Sequence, residues 1–427
     1  MSVGKVAFAN LGCRVNRVEI DVIASELERA GCEFVGEQDA DVIVVNSCAV
    51  TGEAEAKTRK AIRHAASLPQ VPIVIATGCV ATLFGGELEA IGANVRVVRS
   101  KAKVSGEVLR ELGAPEGGVS DEGTVLDAPS PTGRTRPGIK IQDGCDNRCT
   151  YCIVWKARGR SRSVPVEDIV SSVREAVGRG AREVVLTGIN IGRFRGEIEG
   201  AVRGLPALLE HLLGATDVER LRVTSIEPPD VTDELLRVMA SHPERIAPFL
   251  HICLQSGSDA TLARMGRVYD TAFYRDVVRR SREMVPGLAL GTDVIVGFPG
   301  ETDEEFEDSL AFCREMDFSK MHVFRYSQRP GTPAAEMEQV DARIKAERGR
   351  RMRDLARTMR LAAARRLVGT EQLVLVQAAG AGVTGGLFDV VVDRDIEPDT
   401  FARLTVSSVA ADGTLFATMR QDDSVAI

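Results

Sequence analysis

The chain has 427 residues, enough for two or three separate cores rather than one. No apolar run approaches the length of a membrane span and the opening MSVGKVAFANLGC lacks a signal peptide's charged start and cleavage site, so a soluble, cytoplasmic protein is expected. The net charge of −7 conceals two basic stretches, around residues 134–162 and 341–366, and nine cysteines in so long a chain argue against a disulfide framework and for metal or redox chemistry.

From the start of the chain, apolar strands and amphipathic helices alternate. KVAFANLGC reads as a strand ending in Cys13, and RVEIDVIASELERAG as a helix with Val18, Ile20, Ile23 and Leu27 at helical spacing. DVIVVNSC, a strand ending in Cys48, precedes the helix EAEAKTRKAIRHAASL and the strand PIVIATGC, which ends in Cys79. Such alternation predicts a parallel sheet with crossover helices, whose ligands bind beyond the carboxyl ends of the strands. Cys13, Cys48 and Cys79 all fall there and are expected to converge. Cys32, Cys253 and Cys313 lack that placement and are expected in the core.

The stretch from Gly113 to Gly138 is rich in Gly, Pro and Ser and reads as a linker. Six strand-like runs follow, GIKIQDG, EVVLTGIN, RLRVTSIEP, FLHICLQSG, ALGTDVIVGFPG and KMHVFRYS, spaced by helices; six units predict a partial parallel α/β barrel. A basic helix is expected from Asp341 to about Val368, and then the short strands of a small β-barrel. The fold class is therefore α/β, with a parallel-sheet domain at 1–115, a linker at 116–137, a (β/α)6 barrel with its basic helix at 138–368 and a β domain at 369–427.

GCDNRCTYC places Cys145, Cys149 and Cys152 on the loop leaving the first barrel strand. A structural zinc site closes with four protein ligands, whereas three thiolates on a four-iron cubane leave one iron open to a substrate. This CxxxCxxC spacing resembles the signature of the radical S-adenosylmethionine (SAM) enzymes, including the aromatic Tyr151 between the last two cysteines. The resemblance implies a [4Fe-4S] cluster that binds SAM through its amino and carboxylate groups and cleaves it to methionine and a 5′-deoxyadenosyl radical. Around it, Thr187, Gly188 and Asn190 are expected to meet the methionine amino group. Glu227 and Gln255 are expected to take the ribose hydroxyls, and Gly297 and Gly300 to let backbone approach the adenine.

With LGCRVNRVE, VVNSCAVTGEAEAKTRK and TGCVAT ahead of that motif and a β domain behind it, the chain resembles the methylthiotransferase family over nearly its whole length. KIQDGCDNRCTYCIVWKARGRSRS, TSIEP, LQSGSDATLARMGR and HVFRYSQRPGTPAAEM are most similar to the branch that makes the 2-methylthio derivative of threonylcarbamoyladenosine beside the tRNA anticodon. The resemblance implies a second [4Fe-4S] cluster on Cys13, Cys48 and Cys79. It also implies two uses of SAM, a tRNA anticodon stem-loop as substrate, a sulfur donor and a reductant protein such as flavodoxin or ferredoxin. Relatives that modify a ribosomal protein side chain, or isopentenyladenosine in tRNA, are the alternatives.

Two departures stand out. Val154, Trp155 and Lys156 replace the Ile-Pro-Tyr-like stretch usual in the family, and Trp155 is expected to fill a core gap rather than stack on a base. From Thr370 onward there are three arginines, no lysine and nine acidic residues, a poor match to phosphate. Attraction for RNA is therefore expected from Arg350, Arg351, Arg353, Arg357 and Arg360 of the basic helix and from the arginines at 134, 136, 158, 160 and 162.

Overall fold

A computed structural model describes residues 2–114 and 135–419. Most of the expected linker lies outside them. The first domain runs β1 (Lys5–Asn10), α1 (Arg14–Arg29), β2 (Glu33–Phe34), β3 (Val42–Ser47), α2 (Gly52–Ala66), β4 (Ile73–Gly78), α3 (Cys79–Glu89), β5 (Val95–Val97) and α4 (Val104–Glu111). Its five strands pair in parallel in the order β2-β1-β3-β4-β5. β3 is buried at every position, as an uninterrupted apolar run covered on both faces must be.

The central domain opens with β6 (Gly138–Lys140), β7 (Gln142–Asp143), α5 (Val154–Arg158), β8 (Arg162–Ser163), α6 (Val166–Gly178) and β9 (Glu183–Thr187). A small hairpin, β10 (Gly196–Ile198) and β11 (Ala201–Arg203), leads into α7 (Leu205–Ala215), β12 (Arg220–Val223), β13 (Ser225–Ile226) and α8 (Asp233–Ser241). β14 (Phe249–Ile252), α9 (Asp259–Arg264), α10 (Thr271–Met284), β15 (Ala289–Val296), α11 (Asp303–Met316) and β16 (Lys320–Arg325) complete it. Parallel pairing links β6, β9 and β12, and then β13, β14, β15 and β16, so the six expected runs form one curved layer. No pairing joins β6 to β16 among the described residues, which leaves the barrel open along one side.

The basic helix α12 (Ala342–Arg365) lies on β15 and β16 and hands the chain to a closed barrel, β17 (Glu371–Ala378), β18 (Ala381–Thr384), β19 (Asp389–Val391), β20 (Thr400–Val409) and β21 (Leu415–Thr418). Much of the arginine on α12 is spent on packing. Arg348 is buried against Glu301 at 2.7 Å, Arg351 pairs with Glu307 at 2.6 Å, and Arg360 covers the Phe388 ring at 3.8 Å while donating to Leu387 O. Arg350 and Arg353 remain exposed. The expectation that this helix faces a polyanion thus holds for part of its charge only, because Arg348, Arg351 and Arg360 are committed to partners inside the protein.

α1 joins the first two domains. Ile20, Ile23 and Leu27 pack under the parallel sheet, whereas Val18 and Val22 enter the apolar core of the central barrel beside Ile139 and Ile141. A helix carrying apolar side chains on two faces is buried on both.

Candidate active site

The carboxyl ends of β1, β3 and β4 are neighbours, so their loops converge. Cys13 caps α1, Cys48 follows β3 directly, and Cys79 is the first residue of α3. Asn16 ties the first two loops together, its Nδ2 donating to Ser47 O at 2.7 Å and its backbone oxygen accepting from Asn46 Nδ2 at 2.7 Å. Ser47 Oγ accepts from the Val80 and Ala81 amides at 3.1 and 3.3 Å, satisfying the otherwise orphaned first turn of α3. Gly78 turns at φ +93°, where any Cβ would stand 2.4 Å from Ser47 O, so only glycine lets Cys79 come so near Cys48's strand.

On the barrel side, Cys145, Cys149 and Cys152 follow β7 in an irregular loop. The Gln142 side chain, fully buried, organises it: Nε2 donates to Asp143 O, Gly144 O and Ser161 Oγ at 2.8–2.9 Å, and Oε1 accepts from the Ile189 and Asn190 amides at 3.1 and 2.8 Å. One amide therefore fastens the cysteine loop to the loop after β9. There Gly188 passes so close that a Cβ would meet Gln142 O at 2.7 Å.

All six cysteines line one cavity of about 590 Å³ between the two domains. Its wall also includes Tyr151, Trp155, Thr187, Gly188, Glu227, Gln255 and Arg267. Arg267 Nη1 lies 3.1 Å from Cys149 Sγ; its Nε donates to Tyr269 Oη at 3.0 Å and its Nη2 pairs with Glu227. Burial pushes the Glu227 carboxyl up against the pull of Arg267. Burial likewise raises the thiols, Cys48 to about 11 and Cys152 to about 12, with Cys79 and Cys145 also shifted up. Such thiols stay protonated at neutral pH, so ligation of a cation must displace their protons.

The donor set suits thiolate-held iron. Each trio supplies three sulfurs and no carboxylate or imidazole, the composition of a cluster site with one open metal position. Cys152 Sγ already accepts from the Val154 amide at 3.4 Å, and Asn190 touches Cys145 through its side chain while its Oδ1 is buried without a partner. An orphaned buried acceptor beside an open metal position suits an ammonium donor such as an amino-acid group.

Not every expected residue reaches the cavity. Gly297, Gly300 and the buried Asn190 do not line it: Gly297 donates its amide to Glu301 Oε2 at 2.7 Å and turns against Lys345 of α12, Gly300 faces Arg264, and Asn190 stands behind the wall against Cys145. Phe298 between the two glycines meets the Tyr151 ring edge-on at 6.4 Å. Trp155, expected in a core gap, is instead half-buried on the cavity wall with Arg148 over its ring at 4.4 Å. α5 is a single turn that directs Ala157 and Arg158 toward the first domain and leaves Trp155 on its other side. Cys253 is buried as expected yet borders the cavity, while Cys32 and Cys313 sit in the two cores.

Arg158, expected to serve a polyanion or the cofactor, lines the cavity beside Cys79 but is committed to partners within the protein. Its guanidinium is buried and contacts Glu19 Oε1 at 2.7 Å, Asn16 Oδ1 at 2.7 Å and Asp143 Oδ1 at 3.0 Å, bolting α1 to the cysteine loop. Arg136 is directed at the buried Glu183. Arg160 and Arg162 stay largely exposed, and position 134 lies outside the described residues. Sequence reasoning missed Gln142, Arg158's structural role and Arg267. Each acts on partners distant in sequence, and only the polar residues inside apolar runs (IQDG, MGR) hint at them.

Residues 139–313 match the radical SAM superfamily, and residues 5–100 match a group described as uncharacterized protein family UPF0004. A threonylcarbamoyladenosine tRNA methylthiotransferase, MtaB, of Bacillus subtilis is 41% identical over 81% of this chain and 79% of its own length. The MtaB protein of Thermotoga maritima is 34% identical over 96% of each chain. Among solved structures, the radical SAM methyltransferase TsrM from Kitasatospora setae superposes with a TM-score of 0.55 at 16% identity, covering 78% of this chain and 75% of that one, a likeness of fold.

Proposed function

The chain belongs to the radical SAM methylthiotransferase family, and from that premise we propose that it converts N6-threonylcarbamoyladenosine next to the tRNA anticodon to its 2-methylthio derivative, using two clusters. It is a SAM-dependent iron–sulfur enzyme of the transferase class. The observation that carries the two-cluster reading is the single cavity shared by both cysteine trios, which would put a sulfur-bearing site and a radical-generating site on one substrate atom. Cys145, Cys149 and Cys152 would hold the radical cluster, and Cys13, Cys48 and Cys79 the auxiliary one. Bound SAM supplies a radical able to act on adenine C2, an unactivated C–H position that acid–base chemistry does not reach.

This chain's residues do the rest. Arg267 fixes Cys149, and Gln142 holds the loop after β9 so that Thr187 and Gly188 border the space where the methionine ammonium would lie. Glu227 and Gln255 stand on the wall where ribose hydroxyls need acceptors. Val18 and Val22 of α1, packed into the barrel core, hold the two domains together beside the cavity. A reductant protein such as flavodoxin or ferredoxin and a sulfur donor complete the cycle, in the cytoplasm where tRNA is modified; no described helix is long and apolar enough to cross a membrane.

Mass spectrometry of nucleosides from cells with and without the protein tests the reading. The 2-methylthio nucleoside should vanish and threonylcarbamoyladenosine accumulate. An unchanged tRNA profile would overturn it and turn attention to a ribosomal protein side chain.

A further inference from the structure

Below the cysteines, the cavity wall carries polar groups that cluster chemistry does not require. His251, Asp293 and His322 stand on the adjacent strands β14, β15 and β16, with Asp293 and His322 paired in register. His251 Nε2 lies 3.0 Å and His322 Nδ1 3.1 Å from the same Asp293 Oδ1. Gly291, opposite His251, leaves the ring its space, since a Cβ would stand 2.9 Å from His251 Nδ1. A carboxylate only accepts, so the hydrogen-bonded His322 Nδ1 is the donor to Asp293. Asp293 therefore sets the orientation of His322, which is half-exposed at the open edge of the barrel and whose Nε2 has no partner among the described residues.

Two residues earlier on the same strand face, Lys320 lines both this cavity and a second one of about 380 Å³. The two cavities meet at Arg14, Arg222, Lys320 and Leu387. Lys320 is half-buried, has no hydrogen bond or ion pair among the described residues, and feels Arg14, Arg136 and Arg360 against Asp389. A partly buried ammonium with no partner of its own, on the wall shared by two cavities, suits an anion from outside the chain.

We propose that Lys320 and His322 form the subsite for the carboxylate and hydroxyl of the threonylcarbamoyl group, and so select an acidic N6 substituent over a neutral one such as isopentenyl. The inference rests on the function proposed above. The ammonium takes the carboxylate, and His322 Nε2, positioned by Asp293, hydrogen-bonds the same substituent while adenine C2 is turned toward the cysteines. A carboxylate held by a charged donor away from bulk water commonly contributes one to two decades of discrimination, roughly 10- to 100-fold.

The test uses the full-length enzyme with both clusters and an anticodon stem-loop RNA bearing threonylcarbamoyladenosine, against the same RNA with the threonyl carboxylate converted to a carboxamide. Wild type should prefer the acid, and Lys320→Met should lower kcat/KM on the acid roughly 10- to 100-fold with little change on the amide. His322→Gln should show the same selectivity in smaller measure. Equal losses on both RNAs would assign the cations to a backbone phosphate and overturn the subsite, as would no loss at all. Stoichiometric divalent metal lost on His322→Gln would overturn it in favour of a metal site. Wild type inactive on the acid RNA would sink the proposed function itself, an outcome separate from the rest.

Discussion

Replacing Arg158 by Ala should unfasten α1 from the barrel. The guanidinium contacts two carboxylates and an amide in a largely buried site, and it holds the Glu19 carboxyl at about 2, with Lys101 and Lys140 assisting against the cost of burial. Removing one member of a buried ion pair costs about 3–5 kcal/mol, since the abandoned charge stays desolvated. Lys140 at 3.3 Å and Lys101 at 3.7 Å remain beside Glu19, which argues for the lower end. A loss of about 3 kcal/mol is roughly 150-fold in the opening equilibrium of the interface. Hydrogen exchange by mass spectrometry should report it as faster exchange in peptides covering residues 14–29, with peptides of β14 to β16 unchanged. The double variant Arg158→Met with Glu19→Gln should recover part of the protection, because the abandoned carboxylate is gone, although Lys101 then loses its carboxylate partner. Protection of α1 unchanged in Arg158→Ala, or a double variant as open as the single one, would refute the reasoning.

Cys48→Ala should abolish methylthiolation while 5′-deoxyadenosine still forms, and should halve the iron content; iron unchanged in that variant would remove the auxiliary cluster. Arg267→Met, which strips the partner from Cys149 and Glu227, should lower 5′-deoxyadenosine formation by one to two decades, read by chromatography of quenched reactions, with activity at the wild-type level as the contrary result. Glu19 titrates at about 2 in the folded protein against an ordinary value of 4.5, so its contribution is complete above pH 4.5 and is lost as pH falls toward 2. Pepsin cleavage within α1 should accordingly rise over that window, and Glu19→Gln should flatten the rise; an identical profile in both would count against the linkage.

The sequence was most legible where chemistry repeats along it. Apolar runs of β-branched residues ending in Cys13, Cys48 and Cys79 announce both the strands and the side at which their loops meet. The six barrel strands follow from the same alternation. Asn16, Arg158 and Arg267 were opaque for the opposite reason. Arg158 meets Asn16 across 142 residues and Arg267 meets Cys149 across 118, so no local period marks them. Trp155 misled because an aromatic residue in an apolar stretch suggests a core, whereas the one-turn helix that bears it buries Ala157 and Arg158 instead and leaves Trp155 on the cavity side. On α12, formal charge concealed that Arg348 and Arg360 are committed to neighbours inside the protein.

The two-sided burial of α1 also bears on how the protein is made. Its residues leave the ribosome more than a hundred residues ahead of Ile139 and Ile141, the barrel residues that cover Val18 and Val22. Until then the first domain carries a sticky stripe that its own sheet cannot hide, and it matures as part of a pair rather than as a free-standing unit. The same docking that covers the stripe brings its cysteines to face their opposite trio, so covering α1 and forming the shared space are one structural event.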